Sequence, residues 1–176
     1  MLRCTTLAVA LLALAPAALA AQQDRDALIK VALSAAPVAI AGEATVMDME
    51  GNTLRAGTNG WVCLPDIPSS PGMDPMCLDA TWQGWAHAWQ THTMPEVKAV
   101  GLAYMLAGGS DASNTDPFAT EPAPGHQWID SGPHVMILLP DMSLADGLPT
   151  DPNSGGPYVM WKGTPYAHIM MPAGQK

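Results

Sequence analysis

The chain has few cysteines, few positive charges and almost no phenylalanine. Its 176 residues include three cysteines, one phenylalanine, and seven lysines and arginines against 16 aspartates and glutamates. The formal net charge of −9 at pH 7 argues against binding to nucleic acid or to an anionic membrane surface. Only 13% of the residues are charged, but the 48% of hydrophobic residues is typical of a folded domain rather than a disordered chain.

The only long apolar run lies at the N-terminus. Residues 1–20 combine a single arginine, an apolar run over Leu7–Leu14 and small residues leading to an expected cleavage point after Ala20. The apolar region is interrupted by Pro16 and is shorter than the roughly 20 residues that a membrane span needs. We therefore predict a signal peptide over 1–20 and one exported domain over 21–176, in the periplasm or outside the cell and without stable membrane insertion.

Removal of this leader leaves two cysteines, Cys63 and Cys77. In an oxidising compartment such a pair is expected to form a disulfide. The bond would close a loop of about 15 residues and stabilise the fold by about 3 kcal/mol in the chain-entropy model. The spacing is not that of a C-x-x-C redox motif. We predict that the disulfide joins a strand ending at Cys63 to the first turn of a tryptophan-rich helix.

The best helix signal after the leader lies within residues 61–94, which hold four of the six tryptophans. Asp74 followed by proline is typical of an N-cap, and Pro95 predicts that the helix ends near His92 or Thr93. At about 100° per residue, four large apolar residues fall on one face. These are Leu78, Trp82, Trp85 and Trp89. We predict that this face packs against a sheet, with a sugar or cofactor platform as the alternative.

The rest of the chain indicates short strands separated by loops. A first helix is predicted over Asp24–Ala35, capped by Asp24, and a short one over Asp141–Leu148. The candidate strands are Ala44–Met49, Thr53–Ala56, Trp61–Leu64, Val97–Leu106, Trp128–Asp130, His134–Leu139, Tyr158–Trp161 and Tyr166–Met171, of which the first three form a β-meander and the last two a hairpin. The predicted fold class is α+β, with a mostly antiparallel sheet of about five to seven strands carrying two helices.

Methionine is unusually abundant, with 12 in the chain, and three of the five histidines have a methionine two positions later. The pairs are His92 with Met94, His134 with Met136, and His168 with Met170. Composition alone predicts about 0.35 such pairs. Because positions i and i+2 of a strand share a face, the two later pairs could each converge on one point. Imidazole with thioether favours copper or silver, which predicts a soft-metal site; methionines filling an irregular core are the alternative.

The order of these residues resembles that in a known family. The series His92, Met94, Met105, His134, Met136, and the segment SGPHVMILLP around the last pair, resemble the ligands of periplasmic copper chaperones of the PCuAC type. The resemblance covers about a quarter of the chain, its intervals differ, and those chaperones are all-β. It would imply copper delivery, with His134 and Met136 as ligands.

A polar loop, Gly108–Asp116, favours a different function. Gly108 to Ala112 nearly matches the nucleophile elbow of hydrolases, so an enzyme using the Ser110–Asp116 segment with a later histidine as base is one alternative. The turn sequence after Ser110 departs from that motif, and the same oxygen-rich loop could hold calcium or simply form turns. A structural or interaction domain without small-molecule chemistry is the third hypothesis.

Overall fold

Most of the secondary-structure elements in the described part of the chain are short strands, with helices at its start, in its middle and before the last two strands. The computed structural model describes residues 14–67, 70, 72–109 and 111–174. The helices are α1 (Leu14–Leu33), α2 (Val38–Ala41) and α3 (Ala80–Gln90), with a 3₁₀ helix at Met142–Ala145. The strands are β1 (Thr45–Met47), β2 (Thr53–Arg55), β3 (Val62–Leu64), β4 (Met76–Leu78), β5 (Gly101–Met105), β6 (Asp111–Ser113), β7 (Trp128–Asp130), β8 (His134–Leu138), β9 (Tyr158–Met160) and β10 (His168–Pro172).

Eight of these strands form one sheet, in the order β2-β1-β3-β4-β5-β8-β10-β9. All neighbouring pairs are antiparallel except β1 with β3. The predicted α+β class with a mostly antiparallel sheet is thus confirmed. Strands β6 and β7 pair separately, so the polar loop contains a short strand that the sequence did not indicate.

The predicted β-meander is wrong because β3 lies beside β1 rather than beside β2. The chain crosses the end of β1 between Arg55 and Val62, and Gly57 sits at the crossing. A methyl group on Gly57 would lie 2.2 Å from the carbonyl carbon of Ala44. Only a residue without a side chain allows so close an approach, and the approach lets a short connection pass over the strand.

The tryptophan helix begins later than predicted. Met76–Leu78 pair with β3 and β5 as a strand, so Asp74 does not cap the helix. Asp79 caps it instead, accepting a hydrogen bond from the backbone N–H of Trp82 at 2.9 Å through Oδ1. Its Oδ2 accepts another from the N–H of Leu102 at 2.7 Å, which ties the start of α3 to β5. Tertiary strand pairing has overridden a local capping signal.

The disulfide is present between Cys63 and Cys77, whose Cα atoms are 4.0 Å apart. The two residues are directly opposite each other on β3 and β4. The bond therefore joins two strands, and the prediction that it reaches a helix is wrong. Both cysteines are fully buried under α1, where Ala32 packs beside them.

Helix α1 runs through Asp24, which is therefore an interior residue and not the predicted cap.

Residues 1–13 of the predicted signal peptide lie outside the described residues, and the export prediction stays a prediction. No helix in the described part of the chain has both the length and the hydropathy that crossing a bilayer requires.

The two faces of the sheet are covered by different elements. Helix α1 and the 3₁₀ helix cover one face, on which the disulfide lies. Helix α3 covers the other face, turning Trp82 and Trp85 inward as the helical spacing predicted. At Gly101 a methyl group would lie 3.0 Å from Thr81, so this glycine allows α3 to approach β5 closely. The candidate site lies on this second face.

Candidate functional site

A cavity of about 480 Å³ lies between α3 and the sheet. Half of the 12 methionines of the chain contribute to its wall. These are Met49, Met76, Met105, Met136, Met160 and Met170. His134, His168 and the tryptophans of α3 also line it, and we call it the methionine cavity. Its wall combines soft thioether sulfurs, two imidazoles and large aromatic rings.

Strand register brings two of the predicted His-x-Met pairs into this cavity. Met136 on β8 is directly opposite Met170 on β10, and both side chains are buried. His134 and His168 lie two positions before Met136 and Met170 on antiparallel strands, at opposite ends of the row. Their Cα atoms are therefore separated by about 13 Å along the strands. The two methionines occupy the centre, with one histidine at each end.

The ring of His134 is only 1% exposed and has one hydrogen bond. Its Nδ1 lies 2.7 Å from the carbonyl oxygen of Gly132. Since a carbonyl can only accept, Nδ1 carries the hydrogen and Nε2 has a free lone pair. This buried Nε2 has no hydrogen-bond partner among the described residues. Burial lowers the pKa of His134, so the ring is neutral at pH 7 and available as a metal ligand.

The backbone of Gly109 fixes the position of this ring. A methyl group on Gly109 would lie 2.8 Å from Cε1 of His134 and 2.4 Å from Oγ of Ser131. The glycine-rich start of the polar loop thus packs against the histidine at one end of the methionine cavity. This is the role that the structure shows for the glycines that resembled a nucleophile elbow.

His168 has the same arrangement at the other end, inside an aromatic enclosure. Its Nδ1 donates to the carbonyl oxygen of Tyr166 at 3.0 Å, again leaving the lone pair on Nε2. The rings of Trp82, Trp85 and Trp161 stand edge-on to it, with centroid distances of 5.4, 5.5 and 5.0 Å. The pKa of His168 is lowered to about 4, mainly by burial and to a lesser extent by His134, while the hydrogen bond to Tyr166 acts in the opposite direction.

The third pair, His92 and Met94, does not reach the cavity. It lies in the turn after α3, where the alternation of a strand does not apply, and Met94 is 75% exposed. The His92 ring instead stacks on Phe118, with centroids 4.1 Å apart. Of the five residues in the copper-chaperone resemblance, the structure brings together Met105, His134 and Met136 but not this pair.

The polar loop holds itself together through turns. Oγ of Ser113 accepts a hydrogen bond from the N–H of Asp116 at 2.9 Å. The side-chain amide of Asn114 donates to Gln127 at 2.6 Å and to the carbonyl of Thr150 at 2.8 Å. Ser110 and the side chain of Asp111 lie outside the described residues. A turn at Ser113 thus follows strand β6, and the calcium and hydrolase interpretations of the loop stay predictions.

The soft donors at the cavity are thioethers and imidazoles, and two carboxylates, Asp74 and Asp116, also line it. No group of three or more His, Cys, Asp or Glu side chains that could hold a metal ion occurs within the described residues. The sequence-based prediction did not include Met76, Met160 and Trp161 in the site. Met160 is opposite His168 on β9, and this cross-strand neighbour could be found only from the pairing of distant strands.

Comparisons of the chain with models of protein families, with curated proteins and with solved structures find no match. The function must therefore be argued from the residues of the methionine cavity.

Proposed function

We propose that this chain is an exported binding protein for a soft metal ion, copper or silver, held in the methionine cavity by His134, Met136 and Met170. The observation that carries the proposal is the free lone pair on Nε2 of His134. This atom is buried and has no hydrogen-bond partner among the described residues, and its residue lines the same cavity as six methionines.

The hydrogen bonding of His134 supports a ligand role. Histidines that bind metals usually donate their second ring nitrogen to a carbonyl or carboxylate, which sets the tautomer and aims the lone pair. The Nδ1 of His134 donates to the carbonyl of Gly132 in this manner. Neutral imidazole and thioether together form a donor set that prefers copper or silver to magnesium, calcium or zinc.

The energetic cost of this arrangement argues against a purely structural role. Leaving a buried polar atom without a partner costs about 1–3 kcal/mol. A leucine at position 134 would fill similar space between β5 and β10 at no such cost. A bound metal ion would satisfy Nε2 and offset the cost of burying it. The structural-domain hypothesis offers no such compensation.

The hydrolase hypothesis has less support. Its nucleophile, Ser110, lies outside the described residues, and Gly109 packs on the ring of His134. The residues that follow Ser110 pair with β7 as strand β6 and form a turn at Ser113. Hydrolysis therefore stays an alternative that a panel of ester, peptide and glycoside substrates can test, with Ser110→Ala as the variant that should abolish any turnover.

The test of metal binding is anaerobic loading with Cu(I) or Ag(I), followed by desalting and elemental analysis. We expect about one equivalent to be retained, and expect Met136→Leu and His134→Gln to reduce the affinity by about tenfold or more. Met171→Leu is the matched control, since Met171 neighbours Met170 on β10 but is 39% exposed and lies outside the cavity wall. Less than about half an equivalent retained, or equal retention by Met136→Leu and wild type, refutes the proposal.

A further inference from the structure

We infer that the metal site selects a monovalent ion, Cu(I) or Ag(I), and that Met105 and Met76 supply thioether ligands to it. This inference rests on the proposed function and concerns the composition and charge of the same site. It extends the ligand set to two strands that the His-x-Met pattern does not include.

Met105 is the cross-strand neighbour of His134. The two residues are directly opposite each other on β5 and β8, and both are buried. Residues opposite each other in an antiparallel pair have Cβ atoms about 5 Å apart. The sulfur of Met105 is therefore within reach of an ion held by Nε2 of His134, as closely placed as that of Met136 along the strand.

Met76 extends the same row by one strand. Cys77 on β4 is opposite Tyr104 on β5, so the antiparallel register places Met76 beside Met105. Met76, Met105 and His134 then form a row across three neighbouring strands, about 4.8 Å apart, on the face covered by α3. All three line the methionine cavity, and the long, flexible methionine side chains can turn their sulfurs toward one point.

None of these ligands carries a charge. An imidazole that keeps its hydrogen on Nδ1 and offers Nε2 to a metal is neutral, and thioethers do not ionise. Two carboxylates also line the cavity but are not among the proposed ligands, and a backbone hydrogen bond holds each of them in its own loop. Oδ1 of Asp74 accepts from the N–H of Ile67 at 3.0 Å, and Oδ1 of Asp116 accepts from the N–H of Phe118 at 2.9 Å.

The neutrality of the proposed ligands decides which ions bind most favourably. Transfer of an ion from water to an apolar cavity costs a free energy that rises with the square of its charge, so a divalent ion meets about four times the penalty of a monovalent one. Zn(II) and Cu(II) normally recover this cost from thiolate or carboxylate ligands or from several imidazoles. Cu(I) and Ag(I) need less compensation and bind thioethers well.

The experiment is an anaerobic titration of the full exported protein with Ag(I), Zn(II) and Cu(II), followed by the fluorescence of the cavity tryptophans and by calorimetry. We expect Ag(I) to bind at least about 100-fold more tightly than Zn(II) or Cu(II). We expect Met105→Leu to weaken Ag(I) binding by about tenfold or more, and Met76→Leu to weaken it less. Met142→Leu is the control, because Met142 packs on the opposite face of the sheet and should bind Ag(I) like the wild type.

The outcomes separate this inference from the proposed function. If Ag(I) binding depends on His134 and Met136 but not on Met105, or if Zn(II) binds within about tenfold of Ag(I), this inference is refuted while the proposed function stands. If the wild type binds no Ag(I), both are refuted. Should Met105→Leu fail to fold, the methionine ε-methyl resonances of the wild type decide: Met105 must shift on addition of Ag(I), and Met142 must not.

Discussion

The buried ring of His168 leads us to expect that the protein loses stability as the pH falls from 6.5 toward 4. Burial holds the pKa of His168 at about 4, below its ordinary value of 6.5. Between these two values the unfolded chain binds a proton that the folded protein excludes, so the free energy of unfolding falls with the pH. The contribution of this residue is complete above pH 6.5 and fully lost once the pH passes below about 4.

The size of the effect follows from the interval between the two pKa values. Each pH unit within it changes the free energy of unfolding by about 1.4 kcal/mol, which gives a loss of about 2 kcal/mol at pH 5 and about 3 kcal/mol near pH 4. Burial also lowers the pKa of His134, which adds a loss in the same direction. Against a typical total stability of about 5–15 kcal/mol, such a loss is easily measured.

The assay is urea unfolding of the metal-free protein at several pH values between 7.5 and 5, followed by tryptophan fluorescence. His168→Gln removes the titrating ring, and its stability should fall less steeply with pH by about one proton per molecule. His87→Gln is the control because His87 is exposed on α3. The reasoning is refuted if His168→Gln and wild type lose equal stability, or if NMR shows His168 of the folded protein gaining its proton near pH 6.5.

Three further predictions concern two glycines and the disulfide. Gly84 lies at an exposed helical site with nothing within 4 Å of an added methyl group. Gly84→Ala should therefore raise the free energy of unfolding by about 1 kcal/mol and Tm by about 2–4 °C. An unchanged Tm would contradict the helix-propensity argument. Gly109→Ala should destabilise the fold by about 1–3 kcal/mol in urea and weaken Ag(I) binding by displacing His134; normal binding would show that the ring position does not matter. Replacing Cys63 and Cys77 by serine should lower the free energy of unfolding by about 3 kcal/mol. After alkylation of the unfolded, unreduced wild type, the intact mass should show no added alkyl group. Two added alkyl groups would exclude the disulfide.

Much of the secondary structure could be predicted because a short apolar run is a local property of the sequence. The segments Val97–Leu106 and His134–Leu139 were predicted as strands, and β5 and β8 lie within them. The closing hairpin of β9 and β10 was predicted for the same reason. Helical spacing predicted which face of α3 packs inward, and the two cysteines that remain after the leader predicted the disulfide.

The pairing of distant strands could not be predicted, because local patterns do not encode it. Asp74 and Asp79 both precede plausible helices, and the choice between them depends on Met76–Leu78 entering the sheet. Likewise, nothing near Met105 in sequence indicates that β8 will pair with β5. The His-x-Met pattern found the residues that share a strand, and it missed their partners on neighbouring strands.

The concentration of methionines at one cavity favours a function for the cavity over simple core filling. Six of the 12 methionines contribute to its wall, among them Met170, which lies opposite Met136. If methionine served only to fill gaps, the protein would gain stability by closing a space of about 480 Å³ and replacing His134 with an apolar residue. The fold instead keeps the space, the thioethers around it and an imidazole whose lone pair is unused. Local features that lower stability without strengthening the fold are typical of binding sites, and here several such features occur together in the methionine cavity.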